Sequence, residues 1–291
     1  MHIKPLKLQD RPTLEALLAR EPLLNVFHIS VLIEHGLSEQ AYVYEGVRAV
    51  GAFRGGDLAG VVVSFRGGGG TYHTPGDEEA LRAVARVVVD EALSGNLSLL
   101  SGHATQLNPL LTLIGEAGPG RVERCLFRTL QPDELVLPAF APPEGFSAPR
   151  MAHAGDLERL IDFYSTGFYS LAQLPSRAAW RSRLTEQLAW RTLFVIEDGE
   201  GKIASAALTS AEGQGAAMLG GVATRHEYRG LGLSTLCVGA LCRHLFDMGT
   251  KKVGLFYLMG NEPAARVYDR LGFAHAGLWL LVPLGIATLS L

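Results

Sequence analysis

The sequence predicts the α+β fold class, with a mixed and mostly antiparallel sheet flanked by helices, and it predicts two copies of that arrangement. The chain of 291 residues is long enough for two domains of ordinary size. Its two halves begin alike and stay alike at a nearly constant offset, which indicates the duplication of one domain rather than a short-period repeat. A proline-rich stretch separates them.

The proline-rich stretch marks the predicted domain boundary. Five prolines occur in the eighteen residues from Pro132 to Pro149. Proline fixes φ and lacks a backbone donor, so it stiffens a linker and stops both helices and central strands. We therefore predict a first domain over residues 1–131, a linker over 132–145 and a second domain over 146–291.

Each half is predicted to open with a short strand that leads into a helix, at Lys7-Leu8 and at Arg150-Met151. A β-hairpin follows in each half, because two apolar runs flank a glycine turn. The paired runs are Val50 to Phe53 with Leu58 to Phe65, and Leu193 to Glu197 with Ile203 to Thr209.

The second half continues with alternating strands and helices, which predicts one parallel crossover. The predicted elements are a strand near Ala216 to Ala223, a helix from about Leu231 to Phe246, a strand near Val253 to Leu258 and a helix near Glu262 to Leu271. The apolar run from Leu278 to Leu291 contains Pro283 and Gly285, so it is predicted as a terminal strand and not as a membrane span.

Net charge and cysteine content limit which partners, disulfides and cellular location the sequence predicts. A net charge of -3 without runs of Lys or Arg gives no reason to expect nucleic acid or an anionic membrane as partner. The three cysteines, Cys125, Cys237 and Cys242, form no disulfide framework and are expected as buried thiols. The N-terminus lacks the apolar core of a signal peptide, so we expect a cytoplasmic protein. A monomer and a homodimer both remain open.

The segment from Val222 to Ser234 carries the strongest functional signal. It reads as an apolar strand that breaks at a turn with Gly230 and Gly232 and then enters a helix. Backbone N–H groups converge at such a helix N-terminus, where the helix dipole favours a phosphate. Glycine lets the phosphate approach and permits a positive φ. The segment lacks the third glycine of a dinucleotide fingerprint and the Gly-Lys-Ser/Thr of a P-loop.

This segment and a second one resemble the motifs of the GNAT superfamily of acetyl-CoA-dependent N-acyltransferases. The phosphate motif of that superfamily falls on Arg229, Gly232 and Ser234, where serine replaces the usual glycine or alanine. The second motif falls, without departure, on Asn261, Ala264, Tyr268, Gly272 and Phe273. The resemblance covers residues 145–291 in detail and residues 1–131 in outline.

The resemblance implies an N-acetyltransferase that moves acetyl from acetyl-CoA to a primary amine in a ternary complex, without a metal. The acceptor would be a small molecule or a peptide. A backbone N–H at Val222, or at its neighbours Ala223 and Thr224, would polarise the thioester carbonyl, and Gly220-Gly221 fits a bulge that frees such a group. Tyr268 would act as the general acid towards the sulfur.

The resemblance also implies which residues contact the coenzyme. They are Val222, Ala223, Thr224, Arg229, Gly230, Leu231, Gly232, Leu233, Ser234, Asn261, Ala264 and Tyr268. Asn261 could instead cap a helix, and both interpretations stay open. Arg225 and Arg229 flank the loop, where a cation would help to hold phosphate, although a surface role is the alternative.

No residue of the predicted strand at 216–223 is a carboxylate, so the general base stays open. Glu212, His226 and Glu227 are the nearby candidates, and each is favoured as a solvated turn residue. A water relay from backbone carbonyls is the alternative. Four aromatic residues could line the acceptor pocket, although a core position is favoured for them. They are Phe163, Tyr164, Phe168 and Tyr169.

The first half lacks these features. Residues 74–81 contain neither a basic residue nor Gly-x-Gly, and Gly115 stands where the second motif has its tyrosine. The tract Gly67–Gly70 is interpreted as a flexible turn. This half resembles the degenerate N-terminal domain of bacterial two-domain GNAT proteins, and we expect it to act as a structural wall of the acceptor cleft.

Two other functions remain under consideration. The chain could be a CoA-binding regulatory pseudoenzyme, which the missing base would explain. It could also use another acyl group or a specialised amine, as does the tandem GNAT protein that completes mycothiol.

Overall fold

The computed structural model describes residues 1–34, 36–37, 47–65, 68–115, 122–165 and 175–284. The chain divides into two compact units. Unit 1 comprises Met1–Phe127, Phe256–Gly260 and His275–Leu291, and unit 2 comprises Arg128–Leu255 and Asn261–Ala274.

The described residues of unit 1 form seven strands or parts of strands and four α-helices. Its strands are β1 (His2–Pro5), β2 (Arg48–Arg54), β3 (Asp57–Ser64), β4 (Gly69–His73), β5 (Leu99–His103), the first part of β6 (Glu123–Leu130) and most of β12 (Ala274–Pro283). Its helices are α1 (Arg11–Leu18), α2 (Val26–Glu34), α3 (Glu78–Leu93) and α4 (Ala104–Ile114).

The strands of unit 1 lie in the order β1-β2-β3-β4-β5-β12-β6. Strands β1 to β4 are antiparallel neighbours, and β4 pairs with β5 in parallel through the crossover helix α3. The late strand β12 pairs antiparallel with β5, with Trp279 opposite His103. The C-terminal strand therefore lies in the sheet of unit 1, and the predicted domain limits at 131 and 146 stay a prediction.

Unit 2 repeats this plan. Its strands are β7 (Arg150–Met151), β8 (Leu193–Glu197), β9 (Ile203–Gly213), β10 (Ala216–Thr224) and the first part of β11 (Lys252–Leu258). Its helices are α5 (Leu157–Tyr164), α6 (Arg177–Trp190), α7 (Leu233–Asp247) and α8 (Glu262–Arg270).

The strands of unit 2 lie in the order β11-β10-β9-β8-β7. Strands β7 to β10 are antiparallel neighbours, and β10 pairs with β11 in parallel across α7. Both predicted hairpins and the parallel crossover are confirmed, and the two units share one order of elements. The predicted fold class, a mixed and mostly antiparallel sheet with flanking helices in two copies, is therefore confirmed.

A buried ion cluster fixes the start of α5 in unit 2. Arg150 donates two hydrogen bonds of 2.8 Å to the fully buried carboxylate of Asp156, and Arg159 and Glu197 complete the cluster. Burial by itself would raise the pKa of Asp156, but the hydrogen bonds from Arg150 and from the His153 N–H outweigh it and hold the pKa well below its usual range. The cluster thus anchors the helix that carries Tyr164.

The proline-rich segment packs on unit 2. The Val136 N–H donates to the Leu271 carbonyl at 3.1 Å, and Pro138 lies against Gly239 in the middle of α7. Phe140 then lies against Gly232, and the Ser147 N–H donates to the Glu197 carbonyl at 2.8 Å. The segment therefore runs along α7 towards the N-terminus of that helix.

Three smaller predictions have mixed outcomes. All three cysteines are buried and free, as expected, and burial raises the pKa of the Cys125 thiol to about 11. Gly69 and Gly70 begin β4, so the predicted turn was wrong for these two residues, while Gly67 lies outside the described residues. None of the helices in the described ranges has the length and apolar character needed to cross a membrane.

Candidate functional site

Strand β10 carries a bulge at the predicted position. In its ladder with β9, Gly220 lies opposite Leu208 and Ala223 lies opposite Ala206. Gly221 and Val222 therefore share a single partner, Ala207, and a bulge of this kind leaves a backbone group outside the ladder. Two glycines make it possible, because a Cβ at Gly220 would collide with Ser210 and Gly221 has a φ of 56°.

Tyr164 of α5 stabilises the bulge through a hydrogen bond. The Tyr164 hydroxyl donates a hydrogen bond of 2.8 Å to the Gly221 carbonyl. Its ring is almost fully buried and stacks on Trp180 with ring centroids 5.5 Å apart. The carbonyl of the bulge is thereby fixed, and so is the direction of the adjacent backbone N–H of Val222.

The edge of β10 opens next to the bulge. The parallel ladder between β10 and β11 pairs Ala216 with Lys252 and ends at Met218 with Gly254, whereas β10 continues to Thr224. Beyond Met218, the backbone groups on this edge of β10 therefore have no partner strand among the described residues of unit 2.

The N-terminus of α7 offers a row of backbone N–H groups. The N-cap residue of α7 is Gly232, whose φ is 78° and which provides no side-chain cap. Among the described residues, none accepts a hydrogen bond from the N–H of Gly230, Leu231 or Gly232, and the first turn leaves those of Leu233, Ser234 and Thr235 without an intrahelical acceptor. This arrangement suits a phosphate or diphosphate.

A chain of hydroxyls joins the end of β10 to this helix. Ser205 donates to the Ala223 carbonyl at 3.0 Å and shares a hydrogen bond of 2.9 Å with Thr224. Thr224 in turn lies 2.6 Å from the Ser234 hydroxyl. The Ser234 hydroxyl, expected near the phosphate, thus contacts Thr224 and joins the strand to the helix, and the phosphate contact of Ser234 stays a prediction.

The two arginines beside the loop have different surroundings. Arg225 donates from Nε to the Ile203 carbonyl at 2.7 Å, and its guanidinium lies 5.6 Å from the centre of the Phe163 ring. These contacts favour a structural role for Arg225. Arg229 is exposed beside Gly230, so its side chain can turn towards a bound anion.

Helix α8 carries the second motif. Asn261 caps the helix, since its Oδ1 accepts from the Ala264 N–H at 3.2 Å, which favours the capping interpretation for that oxygen. Tyr268 is buried with 6% of its surface exposed, and its ring packs edge-on against Phe273 at 5.6 Å. Gly272, with a φ of 90°, ends the helix as predicted.

The three candidate bases have different positions. Glu212 accepts a hydrogen bond of 2.8 Å from the Thr192 N–H and another from the Thr209 hydroxyl. His226 and Glu227 lie exposed in a short 3-10 helix before the loop. Glu212 is thus a structural acceptor between strands.

The four aromatic residues considered for the acceptor pocket are only partly described. Phe163 and Tyr164 are buried in the core of unit 2, with ring centroids 5.0 Å apart. Phe168 and Tyr169 lie outside the described residues. The described pair thus fits the favoured core interpretation.

Comparison with known proteins identifies the family that the site-bearing part of the chain matches. Residues 157–273 match the model of the acetyltransferase (GNAT) family. Residues 157–273 belong to the GNAT family. The match begins at α5 and ends just after α8, so it contains the bulge, the loop at 230–232 and Tyr268. No curated protein sequence matches the chain.

Solved structures show the same fold over nearly the whole chain. A tandem GNAT protein from the clavulanic acid biosynthesis pathway is 16% identical, with a TM-score of 0.68 over 96% of this chain and 97% of that chain. A GCN5-related N-acetyltransferase from Sphaerobacter thermophilus is 15% identical, with a TM-score of 0.63 over 98% and 96%. A GNAT-family acetyltransferase from Colwellia psychrerythraea is 14% identical, with a TM-score of 0.60 over 98% and 100%. At these identities the likeness shows the fold, which is a tandem GNAT fold.

The described residues also bear on metal binding. No group of three or more His, Cys, Asp or Glu side chains in the described ranges is arranged to hold a metal ion.

Proposed function

We propose that this protein is an N-acetyltransferase that transfers acetyl from acetyl-CoA to a primary amine by direct attack in a ternary complex. The observation that carries the proposal is the start of α7, where the backbone N–H groups from Gly230 to Thr235 lie beside the bulge of β10. The family of residues 157–273 supports the same chemistry.

Different residues of unit 2 would bind the coenzyme, stabilise the oxyanion and donate a proton. The N–H groups at the start of α7, with Arg229, would hold the diphosphate of the coenzyme. The backbone N–H of Val222 would stabilise the oxyanion that develops when the amine attacks the thioester carbonyl. Tyr268 would give its proton to the departing sulfur, and solvent would then restore the phenol. The amine would lose its proton to water at the open edge of β10.

Removing the phenol of Tyr268 tests the chemical part of this proposal. In Tyr268→Phe we expect kcat to fall about a hundredfold while the Kd for acetyl-CoA stays nearly unchanged, because the ring contact with Phe273 remains. Thiol release with a panel of amino acids, polyamines, aminoglycosides and peptides gives kcat, and isothermal titration gives Kd.

Tyr72→Phe is the matched control for this experiment. Tyr72 is a buried tyrosine of unit 1 whose hydroxyl donates to the Gln106 carbonyl. This variant should turn over at the parental rate. An unchanged kcat in Tyr268→Phe at the pH optimum would remove Tyr268 from the mechanism.

One observation favours a second candidate, a CoA-binding regulatory protein without turnover. No carboxylate lies on β10, and Glu212 is committed to Thr192 and Thr209. If the protein binds acetyl-CoA but neither hydrolysis nor any amine of the panel releases thiol, this candidate replaces the enzyme.

The proposal extends to the acceptor, the acyl group, the cellular location and the oligomeric state. The acceptor would be a small-molecule or peptide amine, and the acyl group could differ from acetyl, as in mycothiol-synthase-like proteins. We place the protein in the cytoplasm because its three cysteines are buried thiols. A monomer and a homodimer are both compatible with this chemistry, and neither nucleic acid nor a membrane is part of it.

A further inference from the structure

The proline-rich segment brings one large apolar side chain to the start of α7. Phe140 is 45% exposed although the chain around it is anchored by the Val136–Leu271 and Ser147–Glu197 backbone hydrogen bonds. A Cβ at Gly232 would lie 2.7 Å from its ring, so the ring rests directly on this glycine. An anchored chain therefore presents a half-exposed aromatic ring to solvent at the loop that offers the free amides.

The face of α7 that this segment covers points away from the sheet. Cys237 faces the sheet, where its Sγ donates to the Phe194 carbonyl of β8 at 3.2 Å. Gly239, which contacts Pro138, follows two residues later and is turned by about 200° around the helix. Phe140 continues the same segment from Pro138 to Gly232. It therefore approaches the loop from the side opposite to the bulge of β10.

We propose that Phe140 is the platform on which the adenine base of the coenzyme packs. This inference rests on the proposed function, in which the amides of residues 230–235 hold the diphosphate. The acyl end must lie at the bulge of β10, so the other end of the coenzyme, the adenosine, leaves the diphosphate on the far side of the loop. An aromatic ring there matches a flat base, because every nucleobase has a π-face that stacks on aromatic side chains.

The geometry also separates Phe140 from the chemical step. Its ring contacts only the Gly232 end of the loop among the glycines of this region, and Gly230 has open space at its Cβ position. Phe140 would therefore contribute to affinity for the nucleotide and not to the rate of acyl transfer. The expected signature is a change in binding that depends on whether the acyl donor carries a nucleotide.

Two acyl donors and three variants test the inference. The donors are acetyl-CoA and S-acetyl-pantetheine, which has the same thioester but no nucleotide. In Phe140→Ala we expect the Kd for acetyl-CoA to rise about tenfold, since stacking of one base accounts for about that factor. The kcat/KM with S-acetyl-pantetheine should stay within twofold of the parent. Phe140→Trp should bind acetyl-CoA as tightly as the parent.

Val136→Ala is the matched control, because Val136 lies on the same segment, is 57% exposed and keeps its backbone hydrogen bond in the variant. It should bind acetyl-CoA normally, and thermal unfolding should show all variants folded. Unchanged acetyl-CoA affinity in Phe140→Ala would overturn the inference. An equal loss with both donors would overturn it too, because Phe140 would then shape the loop. If the parent itself binds no acetyl-CoA, the proposed function fails and this inference fails with it.

Discussion

Helices α3 of unit 1 and α7 of unit 2 occupy the same place in the order of elements, but they begin in opposite ways. At α3 the Asp77 side chain accepts from the Ala80 N–H at 2.9 Å, and Glu78 and Glu79 follow in the first turn. At α7 the N-cap is Gly232, without a side-chain cap and without an acidic residue in the first turn. The N-terminus of α3 is thus capped and surrounded by carboxylates, whereas the N-terminus of α7 has no side-chain cap.

This difference teaches how one copy can lose a phosphate site without losing its fold. Carboxylates at a helix N-terminus complement the helix dipole, as a bound phosphate would, so the two exclude each other. The hydrogen bond from the Ala80 N–H, with help from Arg54, lowers the pKa of Asp77 and so favours the charged carboxylate. We therefore expect one coenzyme per chain, bound in unit 2.

Closing the start of α7 should give the largest effect. In Gly232→Asp we expect the Kd for acetyl-CoA to rise about a thousandfold, because the carboxylate would occupy the amides and repel the diphosphate. Isothermal titration measures the change. Gly232→Ala has the same positive φ and the same approach to Phe140 but no charge, so its Kd should rise only about tenfold. Equal losses of acetyl-CoA affinity in the two variants would show that backbone strain at residue 232, and not occupation of the amides by a carboxylate, controls binding.

Acid should destabilise unit 1. Burial, with the nearby His73, lowers the pKa of His28 to about 3, and burial, with Arg20, lowers that of His73 to about 4. The ordinary value of 6.5 applies to the unfolded chain, so the unfolded state takes up protons first. The contribution of the two histidines to stability is complete well above pH 6.5 and is lost as the pH falls through 6.5 towards 4 for His73 and towards 3 for His28. At pH 5 each histidine should lower the free energy of unfolding by about 2 kcal/mol.

Urea unfolding at pH 7 and pH 5 measures this loss, and His28→Leu is the matched variant because leucine cannot take up a proton. The pH-dependent loss should be about half as large in His28→Leu as in the parent. An identical pH dependence in both proteins would contradict the assignment. In unit 2, by contrast, no histidine is buried among the described residues.

Loosening the bulge should give a smaller effect on catalysis. In Tyr164→Phe we expect kcat to fall about tenfold while the Kd for acetyl-CoA stays within twofold, because the hydrogen bond to the Gly221 carbonyl is lost and the ring stack on Trp180 remains. Steady-state kinetics and titration separate the two quantities. A rise in Kd without a fall in kcat would show that Tyr164 supports the binding loop instead.

Opening the start of α3 should give the smallest effect. In Asp77→Ala we expect the free energy of unfolding to fall by about 1 kcal/mol, because one helix cap is lost. Urea unfolding measures that change. Titration should still find one acetyl-CoA per chain, since residues 74–81 before α3 also lack Gly-x-Gly. A second bound coenzyme would show that the cap alone had closed the site of unit 1.

Local features of the site could be predicted from the sequence. Gly220-Gly221 predicted a bulge, and Gly230 and Gly232 predicted positive φ, because backbone freedom is a property of the residue itself. Contacts between distant residues could not be predicted in this way. Nothing in the sequence indicated that the Tyr164 hydroxyl binds the Gly221 carbonyl, 57 positions away, or that Arg225 would donate to Ile203.

The sequence by itself determined the two copies, the hairpins, the crossover helices and the glycine loop, because hydrophobic periodicity and glycine positions act over a few residues. Only the tertiary structure decided that the proline-rich segment lies along α7 and that β12 joins the sheet of unit 1. A proline-rich segment has no periodicity that specifies what it packs against. A terminal strand can pair with any open sheet edge, so its place depends on the packing of the folded chain.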